Sequence, residues 1–80
     1  MSSKQNIRKS PSSIAAEKAV LGCMLINQKS MYKALHSLDG NSFYENSHKI
    51  IFNSITAMFE SGETVDSITV IDYLKKNKNL

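Results

Sequence analysis

Residues 48–59 read HKIIFNSITAMF. His48, Ile51, Phe52, Ile55 and Phe59 recur at i, i+3, i+4, i+7 and i+11, which is one face of an α-helix. Lys49, Asn53, Thr56 and Glu60 fall largely off that face. Gly62 follows at the usual position of a helix stop, just past the last turn. Downstream, Asp66 reads as the cap of a helix from about Ser67 to Lys76. Ile68, Val70, Ile71 and Leu74 would form its apolar side, and Lys75 and Lys76 suit its C-terminal end. The β-branched run from Ser67 to Ile71 makes a strand the competing reading there.

Upstream of the stripe, Phe43 and Tyr44 follow a turn cluster, Asp39-Gly40-Asn41-Ser42. A helix from about Gln28 to Leu38 puts Met31, Leu35 and Leu38 on one face, with Asn27 as its cap and as the stop of the helix before it. That earlier helix runs from Ile14 to about Ile26 after a start signal at Pro11-Ser12-Ser13. Only Glu17 and Lys18 interrupt its apolar residues, a pattern that predicts a central, buried helix. The expected fold is all-α, a small bundle of about four helices packed around the first. Residues 1–10 read as a disordered basic tail and residues 11–80 as a helical head domain.

Composition bounds the function. Eighty residues make at most one small domain, with 41% hydrophobic and 21% charged residues, ordinary for a globular chain. The net charge of +3 suggests nucleic acid until its placement is considered. Lys4, Arg8 and Lys9 sit in the first eleven residues without an acid, and from Ser12 to Leu80 seven basic residues balance seven acidic ones. The charge belongs to the tail, so composition implies no basic surface on the folded part. One cysteine, Cys23, forms no internal disulfide and fits a reducing compartment. No apolar run exceeds the eight residues Ala19–Ile26, and the start lacks a secretory signal pattern, so the expected location is cytoplasmic, away from membranes.

No catalytic, cofactor-binding or metal-ligating residue is expected. The chain lacks a G-x-x-x-x-G-K-[ST] phosphate loop, and glycines 22, 40 and 62 are too dispersed to cradle a phosphate. One cysteine with His36 and His48 does not supply zinc ligands at metal spacing, and neither histidine argues for a Ser-His-acid grouping. Gly22, inside a helix, reads as a packing position, and Cys23 beside it as a small buried hydrophobe. His48, on the apolar stripe, reads as a hydrogen-bonded structural histidine. Phe43 and Tyr44 read as core, because no basic residues interleave with them as in a stacking surface for bases. Lys75, Lys76 and Lys78 read as a solvated helix end.

Three blocks carry a family likeness. Pro11-Ser-Ser-Ile-Ala-Ala-Glu-Lys-Ala-Val-Leu-Gly22 resembles the opening of DnaB-type replicative DNA helicases of bacteria. Phe43-Tyr44 with His48-Lys49-Ile50-Ile51-Phe52 is similar to a second block, and Gly62 with Val65-Asp66-Ser67-Ile68-Thr69-Val70 to a third. Their order and spacing follow the family across residues 11–74. Ala15 stands where the family often has an acid, Cys23 where it often has a second glycine, and Asn46 where proline is common. The resemblance implies a non-catalytic N-terminal head, followed in the family by a helical hairpin, a linker and a motor domain that uses ATP and Mg to unwind DNA. It implies hexamer formation with other copies, and contact with primase and a helicase loader. Single-stranded DNA would be met through the motor domain, and no cofactor is implied for this segment. Rival readings are a stand-alone helical interaction adaptor and a small helical DNA-binding domain. The neutral folded part and the lack of a polar reading face on the third helix weigh against the DNA-binding one.

Overall fold

A chain without β-period alternation has to bury its apolar residues through helical faces, and it does. The computed structural model describes residues 11–77, with side chains from Ile14 onward. The reading of residues 1–10 as a tail, and of Lys78 as part of a solvated end, lies outside those residues. The elements are α1 (Pro11–Ile26), α2 (Gln28–Ser37), a 3₁₀ turn (Gly40–Ser42), α3 (Asn46–Glu60) and α4 (Ser67–Lys76). Among the described residues there is no strand, and the fold is a small all-α bundle.

Each boundary has a local cause. Pro11 opens α1, where its missing N–H costs nothing. One residue then separates α1 from α2. The Asn27 N–H donates to the Cys23 carbonyl at 2.8 Å, and the Asn27 side chain accepts from the Ser30 N–H at 3.1 Å. Asn27 thus ends one helix and caps the next. α3 ends in a Schellman arrangement. Gly62 sits at φ +76, its N–H donates to Phe59 and the Glu63 N–H to Met58. Asp66 begins α4 with a reciprocal cap. Its carboxylate accepts from the Thr69 N–H at 2.9 Å, and the Thr69 hydroxyl accepts from the Asp66 N–H at 2.9 Å. That cap overrides the β-propensity of Ser67–Ile71, and the segment is helical.

The core is centred on α3, not α1. Phe52, Ile55 and Met58 are buried on α3, and Leu21, Met24, Met31, Ala34, Phe43, Val70 and Leu74 close around them. The rings of Phe43 and Phe52 pack at 5.1 Å between centroids. α3 packs against α1, α4 and the 3₁₀ turn, whereas α1 packs against α2 and α3. Among the described side chains of α1, only Leu21 and Met24 are buried. Ala15, Ala16, Ala19, Cys23 and Ile26 are exposed, with Ile26 88% accessible. The expectation of a central first helix is therefore corrected. Three helices of 10 to 15 residues have too little surface to surround a 16-residue helix.

The same limit corrects three other expectations. On α4, Val70 and Leu74 are buried while Ile68 and Ile71 face solvent, because Val70 and Leu74, four apart, share one side of the helix and Ile68 and Ile71, three apart, share the neighbouring one. On α3, Met58 takes the buried place expected for Phe59, which lies at the rim and meets Tyr32 edge-on at 5.4 Å. Of the aromatic pair, Phe43 is core and Tyr44 is exposed, since the chain is extended at Phe43 and successive side chains diverge.

Candidate functional site

Glu17 interrupts the apolar run of α1, and an isolated buried charge is costly unless paired. Its partners lie at the start of α3. The carboxylate accepts from the Tyr44 N–H at 2.5 Å, from the Glu45 N–H at 3.2 Å and from His48 Nδ1 at 2.8 Å. Glu45 precedes α3 without a side-chain cap of its own. Glu17 therefore does from another helix what the acidic residue of a capping box does locally. Burial alone would raise the Glu17 pKa, but the hydrogen bonds from Tyr44, His48 and Glu45, with the charge of His48, outweigh it and leave the pKa lowered. Against that ionised carboxylate, Nδ1 of His48 carries the proton.

His48 is thus the structural, hydrogen-bonded histidine that its sequence position implied. Its partner was not anticipated. The usable signal was two polar residues out of place, an acid in an apolar helix and a histidine on an apolar stripe. His36 is remote from this arrangement in role: it is exposed on α2 and its Nδ1–H donates to the Tyr32 carbonyl at 2.8 Å.

Gly22 and Cys23 depart from expectation together. A methyl group at Gly22 would meet nothing within 4 Å, so no neighbour among the described residues requires a glycine there. Cys23 is exposed rather than buried. Both lie on the uncovered side of α1. Where that side meets α2, an open groove of about 420 Å³ has Ala19, Val20, Cys23, Ala34 and Leu38 as its floor, and Ser30, Lys33 and Ser37 along its α2 edge. Lys75 and Lys76 form a solvated helix end as expected, Lys76 pairing with Asp72 at 3.2 Å. Among the described residues, no three His, Cys, Asp or Glu side chains cluster as a metal site would need. No helix there is long and apolar enough to cross a membrane.

These features describe a small all-α domain whose distinctive parts are an internal clamp and an uncovered helix face. Comparison with known proteins agrees in kind. Residues 9–80 match the DnaB-like helicase N terminal domain. The chain belongs to that family. Curated relatives include the replicative DNA helicase DnaB of Rhodothermus marinus, 37% identical over 70 residues, which is 88% of this chain and 7% of the relative. The replicative DNA helicase DnaC of Bacillus subtilis is 36% identical over 69 residues, 86% of this chain and 15% of the relative. That of Leifsonia xyli, DnaB, is 33% identical over 69 residues, 86% of this chain and 15% of the relative. The chain thus spans between 7% and 15% of the length of these relatives. No solved structure shows a significant match.

Proposed function

We propose that this chain serves as the non-catalytic N-terminal head of a replicative DNA helicase. In this reading it supports assembly of a cytoplasmic hexamer and offers surface to primase and a helicase loader. ATP with Mg, and the single-stranded DNA, would be handled by a motor domain of the whole protein. The observation that carries the reading is the family match over residues 9–80, nearly the whole chain. The clamp between Glu17 and His48 fits a scaffold role, because it fixes the angle between α1 and α3 rather than presenting reactive groups to solvent.

A domain exchange tests it. The corresponding N-terminal segment of a curated relative is replaced by this chain, and ring assembly is followed by native mass spectrometry. A hexamer that still binds primase is expected. A chimera whose head is folded by circular dichroism but whose ring does not assemble overturns the proposal. The isolated chain should in addition show no nucleotide affinity tighter than about millimolar by calorimetry.

A further inference from the structure

α2 carries its charge on one side. Lys29, Tyr32, Lys33 and His36 recur at i, i+3, i+4 and i+7, and all four are exposed. The opposite side of the helix holds Met31 and Ala34, which are buried. No acidic residue occurs in α2. Lys29 and Lys33 are one helical turn apart, and the whole row runs along the axis for about 10 Å. The folded part is neutral in sum, yet this face is cationic.

Tyr32 stands in that row and is braced. Its ring meets Phe59 of α3 edge-on at 5.4 Å, and the two residues are 43% and 38% exposed. A ring that is both fixed and accessible loses little freedom when another flat group stacks on it. The His36 Nδ1–H, donated to the Tyr32 carbonyl, fixes the imidazole on the same side of the helix.

We infer that the outer face of α2 binds single-stranded nucleic acid, with Lys29 and Lys33 on phosphates and a base stacked at the Tyr32–Phe59 pair. Cationic side chains along the backbone with aromatic rings beside them are the general chemistry of sequence-independent single-strand binding. A duplex would satisfy the lysines but keeps its base faces stacked away from Tyr32. The contact needs no reading face for base edges, because phosphates and ring faces carry no such code. A second copy of this chain is a poorer occupant. Among its described acids, Asp39 and Asp66 are committed to capping bonds, Asp72 pairs with Lys76, and Glu45 accepts from the Ser47 hydroxyl. Glu60 and Glu63 remain, but Glu63 lines one cleft with Gln28, next in the chain to Lys29. A copy offering its own Glu60 and Glu63 to the row would set like charges against that Glu63. A lipid surface is also a poorer match, since the apolar side of α2 is turned into the core and has nothing to insert. The inference does not rest on the helicase reading, since it follows from one helix face.

The test is the salt dependence of binding to a labelled oligothymidylate of about ten nucleotides, read by fluorescence anisotropy. Lys4, Arg8 and Lys9 add to the affinity of every variant alike, so differences between variants are what is compared. Each lysine on a phosphate of a single strand contributes about 0.7 to the slope of log K against log salt. Lys33→Ala should flatten that slope by about 0.7, and Lys29→Ala with Lys33→Ala by about 1.4. Tyr32→Leu, which keeps a side chain against Phe59, should weaken binding at every salt level with the slope unchanged. Wild type should prefer the oligothymidylate to an abasic phosphate chain of equal length, and Tyr32→Leu should lose that preference. Amide shifts of the wild-type chain on titration should centre on Lys29–His36 and Phe59, a readout that needs no variant. Slopes equal to wild type in the lysine variants, or shifts confined to residues 1–10, overturn the inference. So does binding of the abasic chain, a duplex, polyglutamate or phosphatidylglycerol vesicles as tight as that of the oligothymidylate.

Discussion

At the scale of single residues, Glu17 and Phe52 hold the fold by different physics. Phe52 is 2% exposed at the centre of α3 and packs on Phe43. Phe52→Ala leaves a cavity where helices converge and should cost about 3 kcal/mol or more. A melting temperature within a degree or two of wild type would show that the site repacks without loss. Glu17 acts through three acceptor bonds, so its effect depends on pH. Its native pKa is lowered relative to the unfolded chain. As pH falls, the unfolded state takes the proton first, and stability declines. The contribution is complete above the ordinary glutamate value of about 4.3 and is lost as pH falls through the lowered native value. Glu17→Gln should destabilise the chain at neutral pH by about 1.5–3 kcal/mol, the range for hydrogen bonds to a charged group. Its thermal stability should also fall less steeply with acidification than that of wild type. Parallel acid limbs in the two proteins, from calorimetric melts between pH 3 and pH 6, would remove Glu17 from this role.

At the scale of elements, most of what the structure contains was readable, because boundaries depend on neighbours in the chain. Asn27, Gly62 and Asp66 each announce a boundary through their own hydrogen-bonding or conformational chemistry, and each sits at that boundary. What could not be read was how far each helix is covered. The apolar run of α1 looks the same whether its outer side is packed or bare, and deciding that requires knowing how many helices surround it. The clamp between Glu17 and His48 was hidden for a related reason, since 31 residues separate its members. The boundary residues make quantitative expectations. Asp66→Ala removes the carboxylate half of a reciprocal cap, leaving the backbone N–H of residue 66 to donate to the Thr69 hydroxyl, and should cost about 1 kcal/mol. Gly62→Ala meets no steric obstacle, so its cost is conformational, about 1–2 kcal/mol for a left-handed residue with a side chain. Urea titrations of both variants should show lowered midpoints with unchanged slopes. A Gly62→Ala protein as stable as wild type would mean that the turn has relaxed out of the Schellman geometry.

At the scale of the whole molecule, charge and apolar surface decide how copies meet. Among the described residues, α1 and α2 carry Lys18, Lys29 and Lys33 against Glu17, a balance of +2. From Asp39 to Lys76, six acids (Asp39, Glu45, Glu60, Glu63, Asp66, Asp72) face three bases (Lys49, Lys75, Lys76), a balance of −3. The large exposed apolar side chains, Ile26, Tyr32, Tyr44, Phe59, Ile68 and Ile71, are spread over four helices and the segment before α3 rather than gathered in one patch. A stable dimer usually buries about 800 Å² on each partner around a continuous apolar centre. The α1 face is continuous, but it is built of small residues and bordered by lysines that repel their counterparts in a second copy. The 80-residue chain is therefore expected to be monomeric at low micromolar concentration and physiological salt. Opposite balances on the two halves allow only weak end-to-end attraction, which screening over a Debye length of about 8 Å suppresses. If the helicase reading holds, a chain extended through the helical hairpin that the family resemblance places after the head should dimerise under the same conditions. Sedimentation of both species at several concentrations and two salt levels checks this. A salt-resistant dimer of the 80-residue chain would place an assembly interface on the head itself, with the bare face of α1 the first place to look for it.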